Sequence, residues 1–131
     1  MNHPAIAPGK LAVITGAADG IGLAAAHAFA QAGMRVVMSD HDAAKLQAAR
    51  AAVGGDAIAI PADVSDRASV QALADQVRAL GTPVAVLMNN AGTGRGGHAL
   101  TNPEGWDRVI ATNLMGPLYG VQAFVPGMIA S

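Results

Sequence analysis

The sequence predicts an α/β fold with a doubly wound parallel sheet, and three features carry that prediction. Short apolar runs at Leu11 to Thr15, Arg35 to Ser39, Ala57 to Ile60 and Val84 to Met88 alternate with helical stretches, the sequence form of a parallel sheet wrapped by helices. A glycine-rich turn, Thr15-Gly16-Ala17-Ala18-Asp19-Gly20-Ile21-Gly22, joins the first run directly to an Ala-rich helix. An acidic residue, Asp40, closes the second run eighteen residues beyond Gly22.

Each element follows in order. Residues 1–10 form an N-terminal extension, and residues 11–131 read as one domain with no internal repeat, low-complexity block or linker. After the first strand, a helix runs from Gly20 to Ala32 and stops at Gly33, a suitable C-terminal glycine. The second strand leads to Asp42, which caps a helix to about Ala52 that Gly54-Gly55 ends. The third strand leads to Asp63-Val64 and then to Ser65, an N-cap candidate for a helix through Leu80. Gly81-Thr82-Pro83 breaks the chain before the fourth strand. From Pro103 the pattern is helical again through Trp106, Val109 and Ile110 to Met128, with Pro117 and Pro126 each able to start, kink or end a segment.

Composition narrows the function. A chain of 131 residues, 52% apolar, suffices for one buried core. With 3% aromatics and a formal net charge of −1, it offers little stacking surface and no basic field, so nucleic-acid and anionic-membrane binding have no electrostatic support. There is no cysteine, hence no disulfide framework and no thiolate site, and the default expectation is the cytoplasm. Met1 to Lys10 contain two prolines and no long apolar stretch, unlike a signal peptide or membrane anchor. His3, His27, His41 and His98 lack ligand spacing, so no metal is expected.

The glycine turn carries the chemistry. Glycines there allow a tight turn, close approach of the backbone to a ligand, and packing of the new helix on the strand it leaves. A helix that opens in the turn points unpaired N–H groups and the positive end of its dipole at the turn's occupant. A pyrophosphate fits that description. Asp40 then stands where a dinucleotide fold places an acceptor for the adenosine ribose hydroxyls, a charged hydrogen bond worth about 1.5–3 kcal/mol. The same carboxylate repels a 2′-phosphate by roughly 1–4 kcal/mol at contact, so NAD is preferred over NADP. The plain alternative is that Asp40 merely starts a turn. A second run, Gly92-Thr93-Gly94-Arg95-Gly96-Gly97, matches Gly-x-Gly-x-x-Gly by letter, but no helix opens within it and it reads as a lip of the site.

Thr-Gly-x-x-x-Gly-Ile-Gly near the start of a chain resembles the cofactor loop of the short-chain dehydrogenase/reductase family. That resemblance implies a Rossmann-type doubly wound parallel sheet, ordered 3-2-1-4-5-6-7, of which this sequence supplies only the first four strands. It also implies cofactor contacts from Thr15, Gly16, Ala18, Asp19, Gly20, Ile21 and Gly22. Asp19 occupies a position where NADP-preferring relatives often carry a basic residue, which again favours NAD. Asp63 and Val64 look like the family's adenine contacts. In Asn89-Asn90-Ala91-Gly92, an amide side chain can tie neighbouring strand ends together, and Asn90, Ala91 and Gly92 are implied to stand at the cofactor, the last two letting the backbone approach its ribose. Asn113 corresponds to the asparagine that holds a water in the proton relay of the catalytic lysine. The implied reaction is hydride transfer between NAD(H) and a secondary alcohol or ketone, and the helix 113–128 is implied to pack on its counterpart in a homo-oligomer.

The family's tyrosine acid/base, its lysine one helical turn later and its substrate serine cannot be placed. Tyr119 is the only tyrosine, its fourth follower is Ala123, and the last lysine is Lys45. Tyr119 reads as a packing residue, and Ser131 comes too early for the serine. The chain as it stands is therefore expected to be inactive, with its fourth strand a raw edge. A catalytically silent nucleotide-binding or subunit-association module shares every cofactor motif, whereas a flavodoxin-like receiver has no use for Asp40 or Asn90.

Overall fold

The computed structural model describes residues 3–94 and 97–131. The elements are β1 (Leu11–Thr15), α1 (Gly20–Gln31), β2 (Arg35–Ser39), α2 (Ala43–Val53), β3 (Ile58–Ala59), α3 (Arg67–Arg78), β4 (Val84–Met88), α4 (Pro103–Ile110), a π-helical turn (Ala111–Met115) and α5 (Gly116–Ala130). The strands form one parallel sheet in the order β3-β2-β1-β4. β1 pairs with β2 from Leu11 opposite Arg35 through Thr15 opposite Ser39, so the loops that follow these strands leave the sheet at the same edge.

Alternation along the strands divides the core between two layers of helices. Leu11, Val13 and Val37 pack with Leu73, Val77 and Phe124 on one face, whereas Ile14, Val36 and Met38 pack with Ala26, Leu46 and Ala49 on the other. The fold is therefore a Rossmann-like α/β sheet covered on both sides. Strands buried on two faces need unbroken apolar runs, and β1 is buried at every position.

Local chemistry accounts for the departures from the sequence reading. β3 keeps only Ile58–Ala59 of the expected Ala57 to Ile60, because it is an edge strand beside a glycine turn. Its alignment nonetheless continues as the Ile60 N–H donates to the Met38 carbonyl at 2.9 Å and the Ala62 N–H to that of Asp40 at 3.1 Å. Ser65 is not the cap of α3. Its N–H and hydroxyl both donate to Asp63 Oδ1, at 2.9 and 2.6 Å, and the cap is Asp66, which accepts from the Ala68 N–H at 3.1 Å. The helix expected from Pro103 to Met128 is interrupted by the π-helical turn. Pro117 has no N–H for the Asn113 carbonyl four residues back, and a widened turn carries the chain past this gap. Pro126 lies inside α5, which continues to Ala130.

β4 borders β1 on one side, with no strand on the other among the described residues, and all its residues stay half-buried. Beside its N-terminal end, an apolar hollow of about 340 Å³ is lined by Val77, Pro83, Val84, Phe124 and Met128, at the opposite edge of the sheet from the glycine loop. Apolar side chains also stand exposed along the last helices at Ile110, Leu114, Leu118 and Val121. An apolar strand edge and an apolar helix face both favour association. The 131-residue chain is thus expected to self-associate: its weight-average mass by sedimentation should rise, and its melting temperature shift, with concentration. A monomer with a cooperative, concentration-independent melt would contradict this.

Candidate functional site

The end of β1 is fastened to the end of β4 by one hydroxyl and one amide. Thr15 Oγ1 accepts from the N–H groups of Asn90 and Ala91, each at 3.1 Å, and donates to the Met88 carbonyl at 3.4 Å. A hydroxyl has one proton and two lone pairs, so its capacity is used in full. Asn90 Nδ2 returns the tie by donating to the carbonyls of Thr15 and Gly16, both at 3.1 Å. The glycine loop lies flat on this junction. Gly16 has φ +64°, and a Cβ there would sit 2.8 Å from Ala91 Cα; a Cβ on Gly22 would overlap the Gly16 carbonyl and come 2.6 Å from Asn90 Nδ2.

α1 opens where the loop turns away from the sheet. Asp19 is its N-cap residue, but the side chain makes no capping bond and no acidic residue lies in the first turn. The Asp19 carboxylate instead pairs with the Lys45 ammonium of α2. The first-turn N–H groups therefore have no side-chain cap, the condition under which a helix N-terminus holds an anion. Ile21, in the same turn, is 73% exposed, an apolar side chain presented beside that opening.

Asp40 is only 11% exposed and already has partners. Its Oδ2 accepts from the Ala18 N–H at 3.1 Å, and its Oδ1 accepts from the Asp42 N–H at 3.2 Å, with His41 Nδ1 also 3.2 Å away. The carboxylate thus locks the glycine loop to the end of β2, while two oxygens with about four lone-pair sites keep acceptor capacity. The hydrogen bond from Lys45 to Asp19, followed by the charges of Asp19, Asp40 and Asp42, raises the Lys45 ammonium pKa above its ordinary value.

Asp63 and Val64 follow β3 at the same edge of the sheet. Asp63 Oδ1 is occupied by Ser65, and Val64 packs where α5 begins, its Cγ2 3.0 Å from where a Gly116 Cβ would stand. Asn113 lies in the π-helical turn rather than in a regular helix. Its Oδ1 accepts from the Thr93 N–H and its Nδ2 donates to the Thr93 carbonyl, both at 2.8 Å. This amide clamp spends the side chain on the loop after Gly92, and Pro117, four residues on, has no N–H to offer the Asn113 backbone carbonyl. The second glycine run includes Arg95 and Gly96, which lie outside the described residues.

The structure therefore gathers the glycine loop, Asp40, Asp63, Val64, Asn90, Ala91, Gly92 and Asn113 at the C-terminal edge of the sheet. Tyr119 packs elsewhere: the Arg67 guanidinium lies 4.6 Å from its ring centroid and donates to Gln122 at 2.7 Å. Sequence reasoning missed Gly116 and Gly120. A Cβ on Gly120 would overlap Asn89 Oδ1, so α5 reaches the strand ends only through these glycines; their four-residue spacing was the available signal. It also missed Asn102, which caps α4 in the left-handed region at φ 55°.

The stitch gives an ordered set of stability effects. Asn90→Ala should lower the unfolding free energy by about 1–3 kcal/mol, because two carbonyls lose their donor. Asn90→Asp should cost more at pH 7, since a carboxylate would face those carbonyls, and denaturant unfolding would show it. Equal stabilities for native, Asn90→Ala and Asn90→Asp chains would contradict the arrangement.

Comparison with known proteins agrees with this geometry. The family model for short chain dehydrogenases matches residues 10–131. The chain is 39% identical over 124 residues to galactitol 2-dehydrogenase (L-tagatose-forming) of Cereibacter sphaeroides, covering 93% of this chain and 48% of that one. Among solved structures, a short-chain dehydrogenase/reductase from Burkholderia phymatum in complex with NAD matches with a TM-score of 0.88 and 41% identity, over 94% of this chain and 45% of that one. A metagenomic short-chain oxidoreductase in complex with NADP matches with a TM-score of 0.89 and 38% identity, over 95% of this chain and 59% of that one. The chain spans between a fifth and about half of the length of the curated relatives it matches. Among the described residues, no helix is long and apolar enough to cross a membrane. The chain belongs to the short-chain dehydrogenase family.

Proposed function

We propose that this chain is the cofactor-binding half of an NAD-dependent dehydrogenase that transfers hydride between NAD(H) and a secondary alcohol or ketone. The observation that carries the proposal is the uncapped N-terminus of α1, set behind a glycine loop that Asn90 fastens to β4 and Asp40 fastens to β2. The N–H groups of Gly20 to Gly22 hold a pyrophosphate charge, and Ile21 shields it from water. Asp40 accepts from the adenosine ribose hydroxyls with the oxygen capacity left after Ala18 and Asp42. Asp63 and Val64 receive the adenine, and Thr15, Ala91 and Gly92 set the backbone beside the second ribose. When bound, the nicotinamide ring supplies or accepts the hydride.

Asp40 favours NAD over NADP, because its carboxylate would meet a 2′-phosphate, and Asp19 adds to that preference. Asn113 acts as a positioning group: its clamp on Thr93 fixes the loop, and its backbone carbonyl is open to a water of the proton relay. Residues 11–131 are then the cofactor-binding part of that fold. The exposed stripe of Leu114, Leu118 and Val121 supports a homo-oligomer formed through the helix 113–128. Tyr119, packed under Arg67 and followed four residues later by Ala123, does not supply the acid/base pair. That observation favours, for the chain by itself, the second reading of a catalytically silent nucleotide-binding module.

Fluorescence titration separates these statements. The chain should bind NADH more tightly than NADPH and show no hydride transfer to a ketone. Asp40→Ala should weaken NADH by about tenfold or more, as expected for a lost charged hydrogen bond, and lower the preference over NADPH. Turnover by the chain alone, or an unchanged preference in Asp40→Ala, would contradict the reading.

A further inference from the structure

Asp40 is bracketed on both sides by a closed circuit of contacts. On one side the Ala18 N–H donates to its Oδ2 at 3.1 Å, and the next residue is Asp19. On the other, the Asp42 N–H donates to its Oδ1 at 3.2 Å, and Asp42 Oδ1 accepts from the Lys45 N–H at 3.0 Å. The ion pair between Lys45 Nζ and Asp19 completes the circuit, so the lysine side chain spans from α2 to the glycine loop beside Asp40. Both side chains stay accessible, Lys45 at 52% and Asp19 at 65% exposure.

We propose that Lys45 is a cofactor-specificity residue held in reserve: its ammonium can meet a 2′-phosphate on the adenosine ribose, and Asp19 discriminates against NADP chiefly by keeping that ammonium engaged. The inference rests on the cofactor reading above and adds to it a mechanism for Asp19. Lys45 enters the site from the first turn of α2, where Asp42 fixes its backbone, and only its flexible stem must move. An exposed ion pair is weak and exchanges readily, whereas a phosphate offers a doubly charged partner and shorter charge-assisted bonds. Removing the Asp19 charge while keeping its shape therefore frees the lysine for a 2′-phosphate, and a ribose hydroxyl gains nothing from the same release.

A double-mutant cycle with Asp19→Asn and Lys45→Met, read as NADPH and NADH dissociation constants of the 131-residue chain, tests this. In the native background Lys45→Met should change NADPH affinity less than about twofold, and in Asp19→Asn roughly fivefold, as an exposed charge pair permits. The same cycle read with NADH should show additivity. An identical effect of Lys45→Met on NADPH in both backgrounds would overturn the inference, since Asp19 would then act by its own charge alone. Equal coupling for NADH and NADPH would also overturn it, by making the pair a structural strut. Failure of the native chain to bind NADH would overturn the cofactor reading itself, which the other outcomes leave standing.

Discussion

Thr15 and Asn90 stand 75 residues apart in the chain, yet the site exists only because the side chain of each bonds the backbone of the other. A parallel sheet must bring distant strands together through crossover connections, and the closure of such long loops opposes folding until distant contacts form. Here the contacts at the strand ends are polar and fully matched: a hydroxyl with three partners and an amide that serves two carbonyls. An apolar contact would hold the strands together but would leave these carbonyls unpaired and the loop free to lift. With the stitch in place, Gly16 and Gly22 have no room for a side chain, and the start of α1 is fixed against the sheet. The uncapped first turn of α1 is held in place by that fastening.

Asp40 extends the same logic to the neighbouring strand. Its carboxylate is part of the scaffold, and that role accounts for an acidic group staying nearly buried at the end of β2 beside Asp42. Backbone N–H donors from Ala18 and Asp42 satisfy its oxygens. Lys45 balances the surrounding carboxylates from outside. The clamp from Asn113 to Thr93 does for β4 what Asp40 does for β2, holding the segment beyond a strand end to the element next to it.

The sequence makes the interior of this fold legible because interior strands have few options. β1, β2 and β4 begin and end at the residues expected from their apolar runs, since any slip would expose Val, Ile or Met on one face of the sheet. Edges and caps are less determined. Ser65 and Asp66 are both good caps, and the choice between them depends on Asp63 capturing the Ser65 hydroxyl, a contact that no propensity encodes. The π-helical turn arises from one missing N–H at Pro117, a position equally suited to ending a helix. Within the site, the residues were legible by motif but their partners were not. That Asp19 would turn from its helix toward Lys45, or that Gly120 would seat Asn89, depends on how α2 and α5 dock across the sheet.

The central claim is that the C-terminal edge of the sheet, fastened by Thr15, Asn90 and Asp40, receives a nicotinamide dinucleotide. Amide-resolved NMR of the isotopically labelled chain titrated with NADH tests it most directly. The account predicts that the largest shifts fall on residues 16–22, 40–42, 63–64 and 90–93, with little change around the apolar hollow at Val77, Val84 and Met128. Shifts concentrated at that hollow, or absent from the glycine loop at saturating NADH, would contradict it.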